Sequence, residues 1–253
     1  MQILDLLVAF LNKLEAKDWI TMVASLIALA VSVLSSRQRS SEGRLALRKQ
    51  LTDVLEKLSE MNTEAAMHRL KPDEYPVNYG GLLNDKRRFL VRQATFLIES
   101  VGNLVSPYEY LLVAGAYGDI NDAFQAEAYF VQAMHASDDP IDKGIAIRGF
   151  ARFLFAQGPS RHSHARRYCQ NAADLFVEQN DRHRVYLGDT YIRWAQHEQE
   201  WRNYPDALDR FAMAKSVFQK LDNPNRREEE VARASRLASE CLRLTGEEPK
   251  TDA

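Results

Sequence analysis

Hydrophobic positions along this chain recur at spacings of three and four almost from end to end, and no stretch alternates strictly with polar residues over a strand's length. The first run, MQILDLLVAFLNKLEAK, puts Ile3, Leu7, Phe10, Leu11 and Leu14 on one helical face, with Asp5 and Lys13 off it. That pattern predicts an amphipathic helix over 1–18, able to lie in a membrane interface, pack on a copy of itself or face a core. The pattern then stops. From Trp19 to Ser36, WITMVASLIALAVSVLSS, there is no charge in 18 residues; at about 1.5 Å per residue such a helix spans roughly 27 Å, just enough to cross a bilayer. Trp19 at one edge and Arg37 and Arg39 at the other suit the two headgroup regions.

The uncharged run therefore predicts a transmembrane helix over 19–36. A buried core helix is the rival for so short a stretch, given its Ser, Thr and Ala content. A cleaved signal peptide fits poorly, because the preceding residues carry Asp5, Glu15 and Asp18 against Lys13 and Lys17. Arg37, Arg39, Arg44, Arg48 and Lys49 follow the run, and the positive-inside rule then places the C-terminal bulk in the cytoplasm of a single-pass cell-membrane protein.

Beyond the span, Leu47, Leu51, Val54, Leu58, Met61 and Ala65 alternate at spacings of four and three. This is the seam of a short coiled coil, or equally the buried stripe of a helix packed on its own domain, so 37–70 is expected to be a helical stalk. The stretch KPDEYPVNYGGLLN, 71–84, holds two prolines and the pair Gly80 and Gly81, and reads as a linker. Asn84 or Asp85 would cap the next helix, with Phe89, Leu90, Phe96, Leu97 and Val101 on its apolar face.

Three later segments share one spacing of aromatic, small and apolar residues. The first has Tyr110, Val113, Ala114 and Tyr117, then Ala126, Phe130 and Ala133. The second has Ile147, Phe150, Ala151, Leu154 and Gly158, then Ala165, Cys169 and Ala172, with about two residues inserted around Pro159. The third has Tyr191, Trp194 and Ala195, then Ala207, Phe211 and Ala214, with Glu198 where an aromatic is usual and the charged stretch Arg226 to Leu244 as a closing helix. The spacing resembles the tetratricopeptide repeat, in which small residues let the two helices of a hairpin approach and large ones fill the gaps between hairpins. The resemblance implies an all-α, antiparallel helix-hairpin solenoid over 85–245, behind a transmembrane helix and helical stalk, with a flexible tail over 246–253.

Composition narrows function further. Basic and acidic residues number 33 and 35, net charge -2, so no bulk charge favours nucleic acid. The two cysteines, Cys169 and Cys241, are far apart and suggest neither a disulfide nor a zinc site. His162 and His164 lie near Cys169 without a further ligand at metal spacing. The cluster Tyr191, Trp194, Trp201 and Tyr204 coincides with repeat-packing positions and is expected to fill core, while Arg161, Arg166, Arg167, Arg182 and Arg184 are expected on a solvated face. There is no phosphate loop, HExxH or G-x-S-x-G, so no catalytic residue, cofactor or metal is expected and the chain does not read as an enzyme.

The family likeness implies instead that the first helix of each hairpin lines a groove. In that register Arg148 and Arg152, one turn apart, with Arg193 and Gln196, would hold a partner's acidic side chains, since guanidinium forks match carboxylates. The first hairpin would offer Tyr108, Leu111, Gly115 and Gly118 there. The expected function is a membrane-anchored scaffold or adaptor binding a protein or peptide, possibly acidic. The alternative is a homo-oligomeric membrane assembly driven by the N-terminal helices.

Overall fold

The structure, a computed structural model, describes the backbone of residues 16–76, 78–176 and 180–246, and the side chains within these from residue 42 on, except residues 72 and 103. Among the described residues it is all-α, without strands. Among these residues nine α-helices follow in order: α1 (Ala16–Leu70), α2 (Tyr79–Val101), α3 (Pro107–Asp119), α4 (Ala123–His135), α5 (Pro140–Ala156), α6 (His162–Asp174), α7 (Asp181–Glu200), α8 (Tyr204–Phe218) and α9 (Pro224–Thr245).

Two compact units divide the chain, Met1–Thr52 and Asp53–Ala253. The first holds the leading part of α1. The expected amphipathic helix over 1–18, and the side chains of the uncharged run over 19–36, lie outside the described residues; among those described, no helix is long and apolar enough to cross a membrane.

In the second unit the helices pack with their sequence neighbours: α3 on α4, α5 on α6, α7 on α8, and α9 on α8. Their starts follow from local chemistry. Pro107, Pro140 and Pro224 occupy first turns, where their missing N–H costs nothing. The Asp122, Asp139, Asn180 and Asn223 side chains accept from the backbone N–H groups of Gln125, Ile141, His183 and Arg226. Pro140 thus opens α5 rather than closing the preceding hairpin.

The repeat spacing places the core. Val113, Ala114, Phe150, Ala151, Trp194 and Ala195 are buried on the first helices, and Ala126, Phe130, Ala165, Cys169, Ala207 and Phe211 on the second. Each first helix ends in a turn whose reversing residue has positive φ: Asn121, Gly158 and Arg202, each seven positions after Ala114, Ala151 and Ala195. The extra length of the second turn is taken up by a 3-10 turn at Pro159–Arg161. The repeat also uses glycine for contact. A Cβ at Gly144 would overlap the Phe176 ring, and one at Gly188 the Phe218 ring, so bare backbone here sets how closely the two helices of a hairpin approach.

Two expectations need correction, and for the seam of α1 the packed-helix alternative is favoured. Helix α2 begins at Tyr79, inside the stretch 71–84 that composition marks as linker, because the glycine pair is carried within its first turn. Its buried stripe is Leu83, Arg87, Leu90, Val91, Ala94, Leu97, Ile98 and Val101, whereas Phe89 and Phe96 are 68% and 65% exposed; counting apolar residues alone had assigned the stripe to the wrong side of those two rings. Val54, Leu58 and Met61 of the expected stalk seam are buried in the single chain, where α1 meets α2 through the Asn62 to Arg87 hydrogen bond of 3.1 Å.

Candidate functional site

First helices of the hairpins turn one side to a neighbour and leave the other side to a groove. The groove encloses about 770 Å³ and lies wholly within the second unit. Its floor is poor in side chains: Gly115 and Gly118 of α3 and Gly149 of α5 face it beside Leu111. Its walls are basic, with Arg148 and Arg152 from α5 and Arg193 from α7, as the repeat register expects. Tyr108 of the expected set does not line it; the Tyr108 hydroxyl donates to Asp142 at 3.2 Å on the exposed surface.

Gln196 is the misplaced member. It is exposed and does not line the groove; His197 does. At about 100° per residue, the side chain four positions after Arg193 lies closer to its direction than the one three after. His197 is itself tied down, its Nδ1 3.0 Å from Glu200 and its ring stacked on Phe155.

Among the described residues the three arginines lack the carboxylate partners that Arg87, Arg166, Arg184 and Arg233 have, as does Arg210, which instead lies over the Trp194 ring. Arg148 is half-buried, its Nη1 is shielded from solvent, and that nitrogen has no hydrogen-bond partner. Burial, and after it the neighbouring Arg193 charge, lower the Arg148 guanidinium below its ordinary value, although an arginine stays charged at neutral pH. Arg152 and Arg193 are exposed and make no ion pair among the described residues. The nearest carboxylate along α7, Asp189, is held by Arg233.

Sequence reasoning missed the opposite wall. Asn62, His68 and Arg69 of α1, Arg87 of α2 and Asp119 of α3 also line the groove. Arg87 is buried, donates to Asn62 and lies 3.5 Å from Asp119. Its signal was available: a basic residue sitting within the apolar period Leu83, Leu90, Val91 and Ala94 must turn inward.

The back of the groove is fixed by a polar network that the sequence also hid. Glu198 is only 1% exposed, and it receives both Arg166 nitrogens at 2.7 Å, the Trp194 indole N–H at 2.9 Å and the Asn203 amide at 2.8 Å. Burial alone would raise its carboxyl, but the bonds from Arg166, Asn203 and Trp194 outweigh it and hold the group below its ordinary range. Arg166 thus keeps a half-exposed side chain while its guanidinium turns inward to Glu198. Arg210 covers the Trp194 ring at 4.0 Å, so Trp194 is structural, as Tyr191 is by burial, whereas Trp201 is 43% exposed and packs on His162.

Chemically the groove offers cationic N–H donors from its arginines. Cys169 lines it, but burial pushes its thiol up to about 12, which keeps it protonated. His162 is buried against Phe155 while His164 is exposed, and among the described residues no group of His, Cys, Asp and Glu could hold a metal. Fold and groove together define a class, an all-α array of consecutive helix pairs with a basic groove. Comparison with protein-family models, curated proteins and solved structures returns no match to the chain.

Proposed function

We propose that this chain is a membrane-anchored helical-repeat adaptor, similar in plan to tetratricopeptide domains, whose groove holds an anionic segment of a protein partner. The observation that carries the reading is Arg148: a shielded guanidinium nitrogen without a partner, beside Arg193 and Arg152 in one groove. Leaving a charge desolvated and unpaired is costly to the fold, so its counter-charge is expected from outside the chain. The anchor rests on the uncharged run Trp19 to Ser36 and the basic residues after it, which would hold the groove on the cytoplasmic side of the cell membrane. Assembly through the stalk has less support, because Val54, Leu58 and Met61 are already covered within the chain.

Affinity capture from detergent-solubilised membranes with the full-length chain tests the groove. Arg148→Glu with Arg152→Glu is expected to lose its partner by about 2 to 5 kcal/mol of binding energy, the range for desolvated charge pairs. A reversal at the exposed Arg236 serves as control. Equal recovery by all three proteins would exclude the groove. Leu29→Arg tests the anchor separately: a charge in mid-span costs about 2.5 to 3.5 kcal/mol of insertion and should move the protein out of the membrane fraction.

A further inference from the structure

We infer that the anchor site of this groove takes a doubly charged phosphoryl group, held by Arg148 and Arg193 with Arg152 one turn along α5. This rests on reading the groove as an anion-binding site and names the chemistry of its ligand.

The first argument is a charge balance. Five arginines line the groove, Arg69, Arg87, Arg148, Arg152 and Arg193, against the single carboxylate of Asp119, which is spent on Arg87. Elsewhere arginines that turn inward meet a carboxylate, Arg166 with Glu198, Arg184 with Asp181 and Asp222, Arg233 with Asp189 and Glu230, or, for Arg210, the face of the Trp194 ring. One carboxylate entering the groove would neutralise one of the four guanidinium groups without a carboxylate and leave three. A phosphomonoester brings a charge of about -1.5 to -2 and three acceptor oxygens, which forked donors from two helices can share.

The second argument is room. A Cβ at Gly115 would meet no side chain within 4 Å, whereas at Gly118 and Gly149 it would meet Phe153 and Phe130, so the open part of the floor is at Gly115. A group broader than a planar carboxylate fits there without displacing a side chain. The remaining volume is ample for the molecule that carries the group.

The test is isothermal titration of the full-length chain in detergent micelles, at fixed ionic strength because exposed charges are screened by salt. The probes are inorganic phosphate, acetate and succinate. Phosphate is expected to bind at least about 10-fold tighter than either carboxylate at pH 7.5. Its affinity should fall as pH drops through its second ionisation, which lies close to neutrality, a dependence acetate lacks over the same range. Arg148→Gln, and independently the exposed Arg152→Gln, should weaken phosphate by about 10-fold or more with unchanged melting temperature. Succinate binding as tightly as phosphate, a flat pH profile, or unchanged affinity in both variants would each overturn the assignment.

Two further arms locate the source. A phosphopeptide tighter than phosphate places the group on a partner chain, and a nucleotide tighter than phosphate places it on a small molecule; both require the same dianion site. If a protein partner is lost with the groove arginines while phosphate binds no better than acetate, the adaptor reading stands and the phosphoryl assignment falls. If phosphate binds but capture is unaffected by charge reversal, the opposite holds.

Discussion

Glu198 and Arg148 each bring a charge into the interior of the same helical unit, and the unit treats them oppositely. Glu198, on α7, has its carboxylate engaged by Arg166, Trp194 and Asn203. Arg148, on the adjoining α5, has a shielded nitrogen with nothing to donate to. The contrast separates two uses of buried charge. A satisfied network fixes the junction between hairpins, because each of its members loses its partner if the helices shift. Arg87, Arg210 and Arg233 also have a shielded nitrogen without a hydrogen-bond partner, but their guanidinium groups are engaged by a carboxylate or a ring; Arg148 has no such partner among the described residues and faces the groove, as a group kept for a ligand would.

The largest effect that tests this contrast is expected at the satisfied charge. Glu198→Ala strands Arg166, Trp194 and Asn203 and should destabilise the chain by about 2 to 3 kcal/mol, below the about 3 to 5 kcal/mol for breaking a fully buried pair because Arg166 keeps access to solvent. Thermal unfolding would show a fall of roughly 4 to 12 °C, at about 2 to 4 °C per kcal/mol for a domain of this size. A shift under 2 °C would demote the network to ornament.

A somewhat smaller effect divides the same two regions by glycine. Gly188→Ala drives a methyl into the Phe218 ring and should cost about 1 to 3 kcal/mol of overpacking, less about 1 kcal/mol of gained helix propensity. Gly115→Ala, over the open groove floor, should instead stabilise α3 by about 0.5 to 1 kcal/mol. Denaturant midpoints that move the same way for both would break the distinction between hairpin wall and groove floor.

How much of this was visible in the sequence follows from which interactions are local. Ala114, Ala151 and Ala195 with their partners twelve or fourteen positions on were legible, since a hairpin repeats its own spacing. Arg148, Arg152 and Arg193 were put together by the groove that the family likeness implies, and the helical register alone would not have chosen them. Arg166 and Glu198 were read separately, as a solvated face and as an odd residue in an aromatic slot, because the bond between them joins positions 32 apart. Phe89 and Phe96 were drawn into the wrong stripe because hydrophobicity does not say which of two neighbouring rows faces a partner. Arg87 shows the converse: its charge hid the fact that it lies within the buried row.

At the unsatisfied charge, Arg148→Met should leave stability unchanged or raise it by up to about 1 kcal/mol, since it removes a desolvated charge and keeps an unbranched apolar stem. Partner capture should be lost in the same variant. A clear drop in melting temperature would mean that Arg148 holds the fold together and that the groove reading has the residue in the wrong role.

The smallest effect is in the acid limb of the stability curve, and its sign follows from Glu198. The folded state holds this carboxyl below its ordinary value of 4.5. Between those two values the unfolded chain binds the proton and the folded chain does not, so stability falls as pH falls. The contribution is complete above pH 4.5 and is lost on descending through the folded value. Glu198→Gln removes the ionisation but keeps an oxygen for Trp194 or Asn203, so its stability should decline less steeply than the parent's below pH 4.5, while the two curves run parallel above it. Arg148 offers no such limb in this range, because its guanidinium stays charged throughout. Urea midpoints measured at half-unit steps from pH 6 to pH 3 on parent, Glu198→Gln and Arg148→Met would resolve the difference. If Arg148→Met flattens the acid limb and Glu198→Gln does not, the two buried charges have been given each other's roles.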